Sequence, residues 1–97
     1  MTRIVIRSLV WSEWNREHIA KHNVRVEEVE IAIQYFLAHK HGYKGRYIIL
    51  GRSNTRILAI IVKKERTGIY HVITARDADK KERSIVYGKE DKKNSSV

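Results

Sequence analysis

The chain has 97 residues, no cysteine and no proline, and its 20 Lys+Arg against 11 Asp+Glu give a net charge of +9 at neutral pH. That length supports one domain with one modest core; the lack of cysteine excludes a disulfide framework and a zinc–thiolate site, and no apolar run approaches the roughly 18 residues of a membrane span. The surplus of cations points to polyanions, whether RNA, DNA, an acidic partner or anionic lipid, against the plainer reading of a solvated basic surface without a dedicated ligand.

Met1-Thr2-Arg3 leads straight into Ile4-Val5-Ile6, an apolar run too short for a secretory signal, so the chain reads as a cytoplasmic protein. Weak alternation predicts a strand over Thr2 to Ser8. Ser12 can cap a helix running to about His22, and Asn23 can end it in the left-handed conformation that asparagine tolerates. A second helix is predicted over about Glu27 to His39, where Val26, Val29, Ile33 and Phe36 or Leu37 form one apolar stripe. Glu27, Glu28 and Glu30 at its start and His39, Lys40 and His41 at its end complement the helix dipole, and Gly42 ends it.

Strands follow at Arg46 to Arg52, at Arg56 to Lys63 and at Ile69 to Arg76, separated by turns at Ser53-Asn54 and Glu65 to Gly68. The middle run is apolar on both faces, which places it centrally in the sheet. Asp79 and Glu82 have capping-box spacing for a last helix over about Lys80 to Gly88. Lys89 to Val97, charged and rich in small residues, is predicted to be a flexible tail beyond a single domain of residues 1–88. The class is α+β in two layers: an antiparallel sheet, two N-terminal helices on one face and a short C-terminal helix. The face opposite the two N-terminal helices is the natural floor of a binding site.

The chemistry concentrates in Val72 to Tyr87, where a strand runs out at Arg76 and a helix then presents Arg83 and Tyr87 one turn apart. Guanidinium groups match phosphate oxygens bidentately, so Arg52, Arg76 and Arg83 are candidates for a phosphate clamp; Arg52 and Arg76 share one edge if their strands are neighbours. The alternative for both is a pair of solvated or salt-bridged edge arginines. Glu82 already has a capping task, and Tyr87 can equally anchor the last helix. His18 and His22, at i and i+4, share a helix face; His22 is a candidate acid–base group, or a ring packed at the helix–sheet junction. A zinc site there lacks a third ligand. His71 interrupts an apolar strand and is a second-tier candidate. Trp11 and Trp14 read as packing residues before base-stacking ones.

These residues resemble the BrnT-like toxins of bacterial toxin–antitoxin modules. The matching pieces are Trp11, Asn15, His18, Lys21-His22 and Val24, then Glu27-Glu28-Val29, then Gly51-Arg52-Ser53, and finally Ile73-Thr74-Ala75-Arg76 with Ala78, Glu82-Arg83 and Tyr87. The last motif commonly has serine where this chain has Thr74, and the His- and Lys-rich Ala38 to Gly45 has no counterpart in it. The resemblance implies a RelE-like α+β fold and a metal-independent ribonuclease, without cofactor, that halts translation by cutting RNA. It also implies an antitoxin partner with a ribbon-helix-helix DNA-binding part, operator DNA bound only through the complex, and no membrane. For such cleavage the RNA 2′-OH attacks the adjacent phosphorus. His22 or Glu82 is then the expected base, Tyr87 or His22 the acid, and the three arginines the clamp. A non-catalytic RNA- or DNA-binding module, or an interaction protein meeting an acidic partner, are the rival classes.

Overall fold

A strand apolar on both faces must be covered on both, and Arg56–Arg66 is that strand. In the computed structural model, which describes residues 4–95 and side chains to residue 92, it is the middle of a five-stranded sheet. The elements are β1 (Ser8–Val10), α1 (Glu13–Ala20), α2 (Val26–Gln34), β2 (Ala38–His41), β3 (Arg46–Ser53), β4 (Arg56–Arg66), β5 (Ile69–Asp77) and α3 (Lys80–Ser95), with a single 3-10 turn at Tyr43–Gly45. The sheet order is β1-β5-β4-β3-β2.

On one face, Ile19, Val24, Val29, Ala32 and Ile33 from the α1–α2 layer meet Ile49, Leu58, Ile60, Val62, Tyr70, Val72 and Ala75. On the other, Leu50, Ile57 and Ala59 pack with Ala78 and Val86 beneath α3. The local signals hold: the Asn15 amide donates to Ser12 Oγ at 3.1 Å, and Asn23 takes a φ of 60°. Gly51 sets the distance between layers. A Cβ there would overlap the Ala32 carbonyl oxygen, so α2 rests directly on the β3 backbone. No helix among the described residues is long and apolar enough to cross a membrane.

Four expectations are corrected. The first strand lies at Ser8–Val10, not Thr2 to Ser8 (residues 1–3 are outside the described residues). It pairs with β5 in parallel, so the sheet is mixed rather than antiparallel throughout. The second helix stops at Gln34, and Ala38–His41 is an edge strand antiparallel to β3. The Leu37 amide donates to the Leu50 carbonyl at 2.9 Å, and this sheet pairing outcompetes another helical turn. Finally, α3 continues through Gly88 to Ser95, so residues 89–95 of the segment predicted as a tail are helical; residues 96–97 lie outside the described residues.

Gly51→Ala is expected to lower unfolding stability by about 1–3 kcal/mol through overpacking. Gly88→Ala, in open space on α3, is expected to raise it by up to about 1 kcal/mol. Urea unfolding of the two variants checks both signs.

Candidate functional site

Helix α3 seats on the sheet through residues one turn apart, Glu82, Val86 and Glu90. Val86 is fully buried. On one side of it, Arg76 of β5 forks onto Glu82, Nη1 to Oε1 at 2.7 Å and Nη2 to Oε2 at 3.1 Å. On the other, Arg52 of β3 forks onto Glu90, Nε to Oε2 and Nη2 to Oε1, both at 2.8 Å. The two carboxylates stand two turns apart, about 12 Å along the helix. Arg52 is in register with Ile57 and Arg76 with Ala59. The arginines therefore project from one face but from strands separated by β4, not from neighbouring strands.

Glu82 has a second task. The Asp79 amide donates to its Oε1 at 2.8 Å, and the Glu82 amide donates back to Asp79 Oδ1 at 2.8 Å, which completes the capping box. Burial pushes the Glu82 carboxyl up, but the Arg76 guanidinium and the Asp79 amide outweigh it and the net displacement is downward. A carboxylate so engaged is a poor proton acceptor; the geometry gives Glu82 the work of holding Arg76. Arg76 in turn is held charged, chiefly by the Glu82 hydrogen bonds. Its side chain remains 38% exposed, and its Nε–H has no partner among the described residues.

Lys40 joins this corner. Its Nζ lies 3.9 Å from Glu82 Oε2, with the side chain half exposed. The sequence reading missed it because it placed Lys40 at a helix end. The available signal was the alternation Ala38-His39-Lys40-His41 after Phe36-Leu37, which sends Ala38 and Lys40 to the α3 face.

Arg83 donates from Nη1 to the Ala78 carbonyl at 2.7 Å, and its charge helps to depress the Asp77 carboxyl, although Arg56 does most of that. Tyr87 lies one turn on and is half exposed. It lines a cavity of about 800 Å³ with Ile31, Tyr35, Leu37, Arg52 and Glu90. The expected residues thus fall into a corner of Arg76, Glu82 and Lys40, a second cluster of Arg52, Glu90 and Tyr87, and Arg83 on the exposed flank of α3. His22 joins neither: it follows α1, in the layer on the opposite face, where its ring meets His18 edge-on with centroids 5.4 Å apart. Arg56, which drew no notice in the sequence, is structural; it forks onto Asp77 and reaches Glu28 and the Asn23 carbonyl. Trp11 packs against the core and donates to Glu30 at 3.0 Å. Trp14 does not pack inside: it is 63% exposed and stacks on His18.

No protein-family model matches the chain, and no curated protein does. Among solved structures, the crystal structure of the Brucella abortus ribonuclease toxin BrnT matches with a TM-score of 0.57 and 28% identity, over 81% of this chain and 100% of that one. The chain is BrnT-like, with the α+β architecture that the likeness carries.

Glu82, Glu28, Glu90 and Asp77 all titrate below their ordinary values. Groups depressed in the folded state contribute stability above their unfolded pKa, and that contribution is lost as pH falls through the folded one. Glu82→Gln is therefore expected to cost about 1–2 kcal/mol at neutral pH, a range lowered for the exposed flank of Arg76. It is also expected to flatten the loss of stability below the ordinary glutamate value of 4.5. Chemical unfolding of both proteins across acid pH measures the difference; parallel curves would remove Glu82 from the balance.

Proposed function

We propose that the protein is a ribonuclease toxin that cuts RNA without a metal ion, halts translation in the cytoplasm and is restrained by a cognate antitoxin. The observation that carries this reading is Arg76, fixed by a buried carboxylate yet open on one flank, beside Lys40 at the strand-to-helix corner. The likeness to a solved ribonuclease toxin supports it. The antitoxin is taken to bring the ribbon-helix-helix part, and operator DNA to be bound only by the complex.

In this mechanism the RNA 2′ oxygen attacks phosphorus and the bond to the 5′ oxygen breaks, leaving a 2′,3′-cyclic phosphate and a free 5′-OH. Arg76 and Lys40 take the non-bridging oxygens, where negative charge builds, and Arg83 closes the clamp from the helix flank. Arg76 arrives already oriented, because Glu82 spends no reorganisation on holding it. The 2′ proton leaves to solvent, since neither His22 nor Glu82 is placed to take it. Tyr87, one turn beyond Arg83 on the same exposed flank, is assigned the proton given to the 5′ oxygen. Arg52, its fork closed on Glu90, positions α3 and thereby Tyr87.

End-labelled single-stranded RNA incubated in EDTA tests this. Wild-type protein is expected to yield cyclic-phosphate ends, and Arg76→Ala to slow cleavage by about 10²-fold or more, the usual effect of removing one charge-stabilising donor. Arg76→Ala and Arg83→Ala both cutting at the wild-type rate would rule out the corner. Tight binding with intact RNA in every sample would leave a non-catalytic binding module.

A further inference from the structure

Among the described residues, the face that α3 occupies is only half covered. Helix α3 seats over Leu50, Ile57 and Ala59. Further along the same face, Ile48 and Ile61 are only partly buried. Beyond them, Arg46 of β3 is in register with Lys63 of β4, and Lys63 with His71 of β5. Tyr47, Val62, Tyr70 and Val72 alongside them point into the α1–α2 core, so Arg46, Lys63 and His71 all point the other way, onto the open half. Residues directly opposite on paired strands have Cβ atoms about 5 Å apart. The three side chains therefore form one cross-strand row.

The row differs from the other cation clusters in its availability. Arg52, Arg56 and Arg76 are each forked onto carboxylates. Arg46 and Lys63 have no ion-pair partner among the described residues. His71 Nε2 sits 3.0 Å from Glu65 Oε1, which steadies the ring on the exposed surface rather than burying it. Between this row and Arg76 lie two pleats of β4, about 13 Å, floored by Ile48 and Ile61 and edged by Lys40.

We propose that Arg46, Lys63 and His71 form a second subsite for the backbone of single-stranded RNA, holding the chain away from the phosphate at the Arg76 corner while its bases lie over Ile48 and Ile61. This rests on the reading of RNA as the substrate and extends it to a track along the open half of the sheet. Free cations beside a partly apolar, solvent-facing sheet surface are what a sequence-tolerant single-strand site requires. An acidic protein could use the same cations and the same apolar floor; the continuity of the row with the Arg76 and Lys40 corner is what favours a phosphate backbone here.

The test compares full-length Arg46→Ala/Lys63→Ala with a charge-matched control, Arg16→Ala/Lys21→Ala, whose exposed cations lie on and just after α1 in the opposite layer. All proteins also carry Arg76→Ala so that the RNA stays intact. Affinity for a labelled single-stranded oligonucleotide is followed across a salt series. Losing two phosphate contacts is expected to reduce the slope of log affinity against log salt by about 1.4, with the control unchanged. Equal slopes in the two double variants, or an unaltered slope in the first, would overturn the subsite and leave the row to an acidic protein partner. A slope change together with no cleavage by the protein that retains Arg76, run alongside, would refute the nuclease and keep the row; absence of RNA binding both with and without Arg76 would refute both.

Discussion

The attachment of α3 governs everything placed around it. Among its described side chains only Val86 is apolar and fully buried, and one buried valine contributes about 1.5–3 kcal/mol, little for a helix of 16 residues. Two Arg–carboxylate forks, one on each side of that valine, supply the direction that a single apolar contact cannot. Arg76–Glu82 fixes the first turn and Arg52–Glu90 the third. Glu82 sits at the centre of this arrangement because one buried carboxylate both caps the helix and orients the guanidinium. Helix geometry and site geometry are in this way the same constraint.

The two faces of the sheet divide the labour. The α1–α2 face is a continuous apolar core closed by Gly51 and Ala32 at backbone contact. The α3 face has a small apolar centre and leaves the rest to charged and half-buried residues. Lys40 belongs to the second face only because Ala38–His41 became a strand. Had α2 run on to His39, its basic end would have lain in the helical layer, away from Glu82.

What could be read from the sequence was whatever is decided within a few residues. Ser12 and the Asp79–Glu82 capping box, the left-handed Asn23 and the central β4 are of this kind, and so is the one-turn relation of Arg83 to Tyr87. What escaped depends on partners far along the chain. Basic residue types at Lys40 and His41 suit a helix end as well as they suit an edge strand, and the Leu37–Leu50 pairing decides between the two. Spacing put His18 and His22 on one helix face but does not say on which side of the sheet that helix packs. Arg52 and Arg76 both end strands, but whether those strands are neighbours was open in the sequence; β4 lies between them. Glu90 went unnoticed because the last helix was expected to end at about Gly88, whereas it runs on to Ser95.

The charge balance of the corner bears on how a polyanion would reach it. Around the corner Lys40, Arg76, Arg83 and Arg56 stand against Glu82, Asp79, Asp77 and Glu28, four charges of each sign. The corner is preorganised but locally neutral, so it exerts short-range, directional attraction and little long-range field. The net charge of +9 must therefore act from elsewhere. Lys63, Lys64 and Arg66 toward the β4–β5 hairpin, with Arg46 beside them, are exposed or half-exposed cations of that kind. An arginine fixed by a buried carboxylate loses long-range reach, and cations without an ion-pair partner among the described residues on the adjoining sheet surface are where attraction for a polyanion would originate.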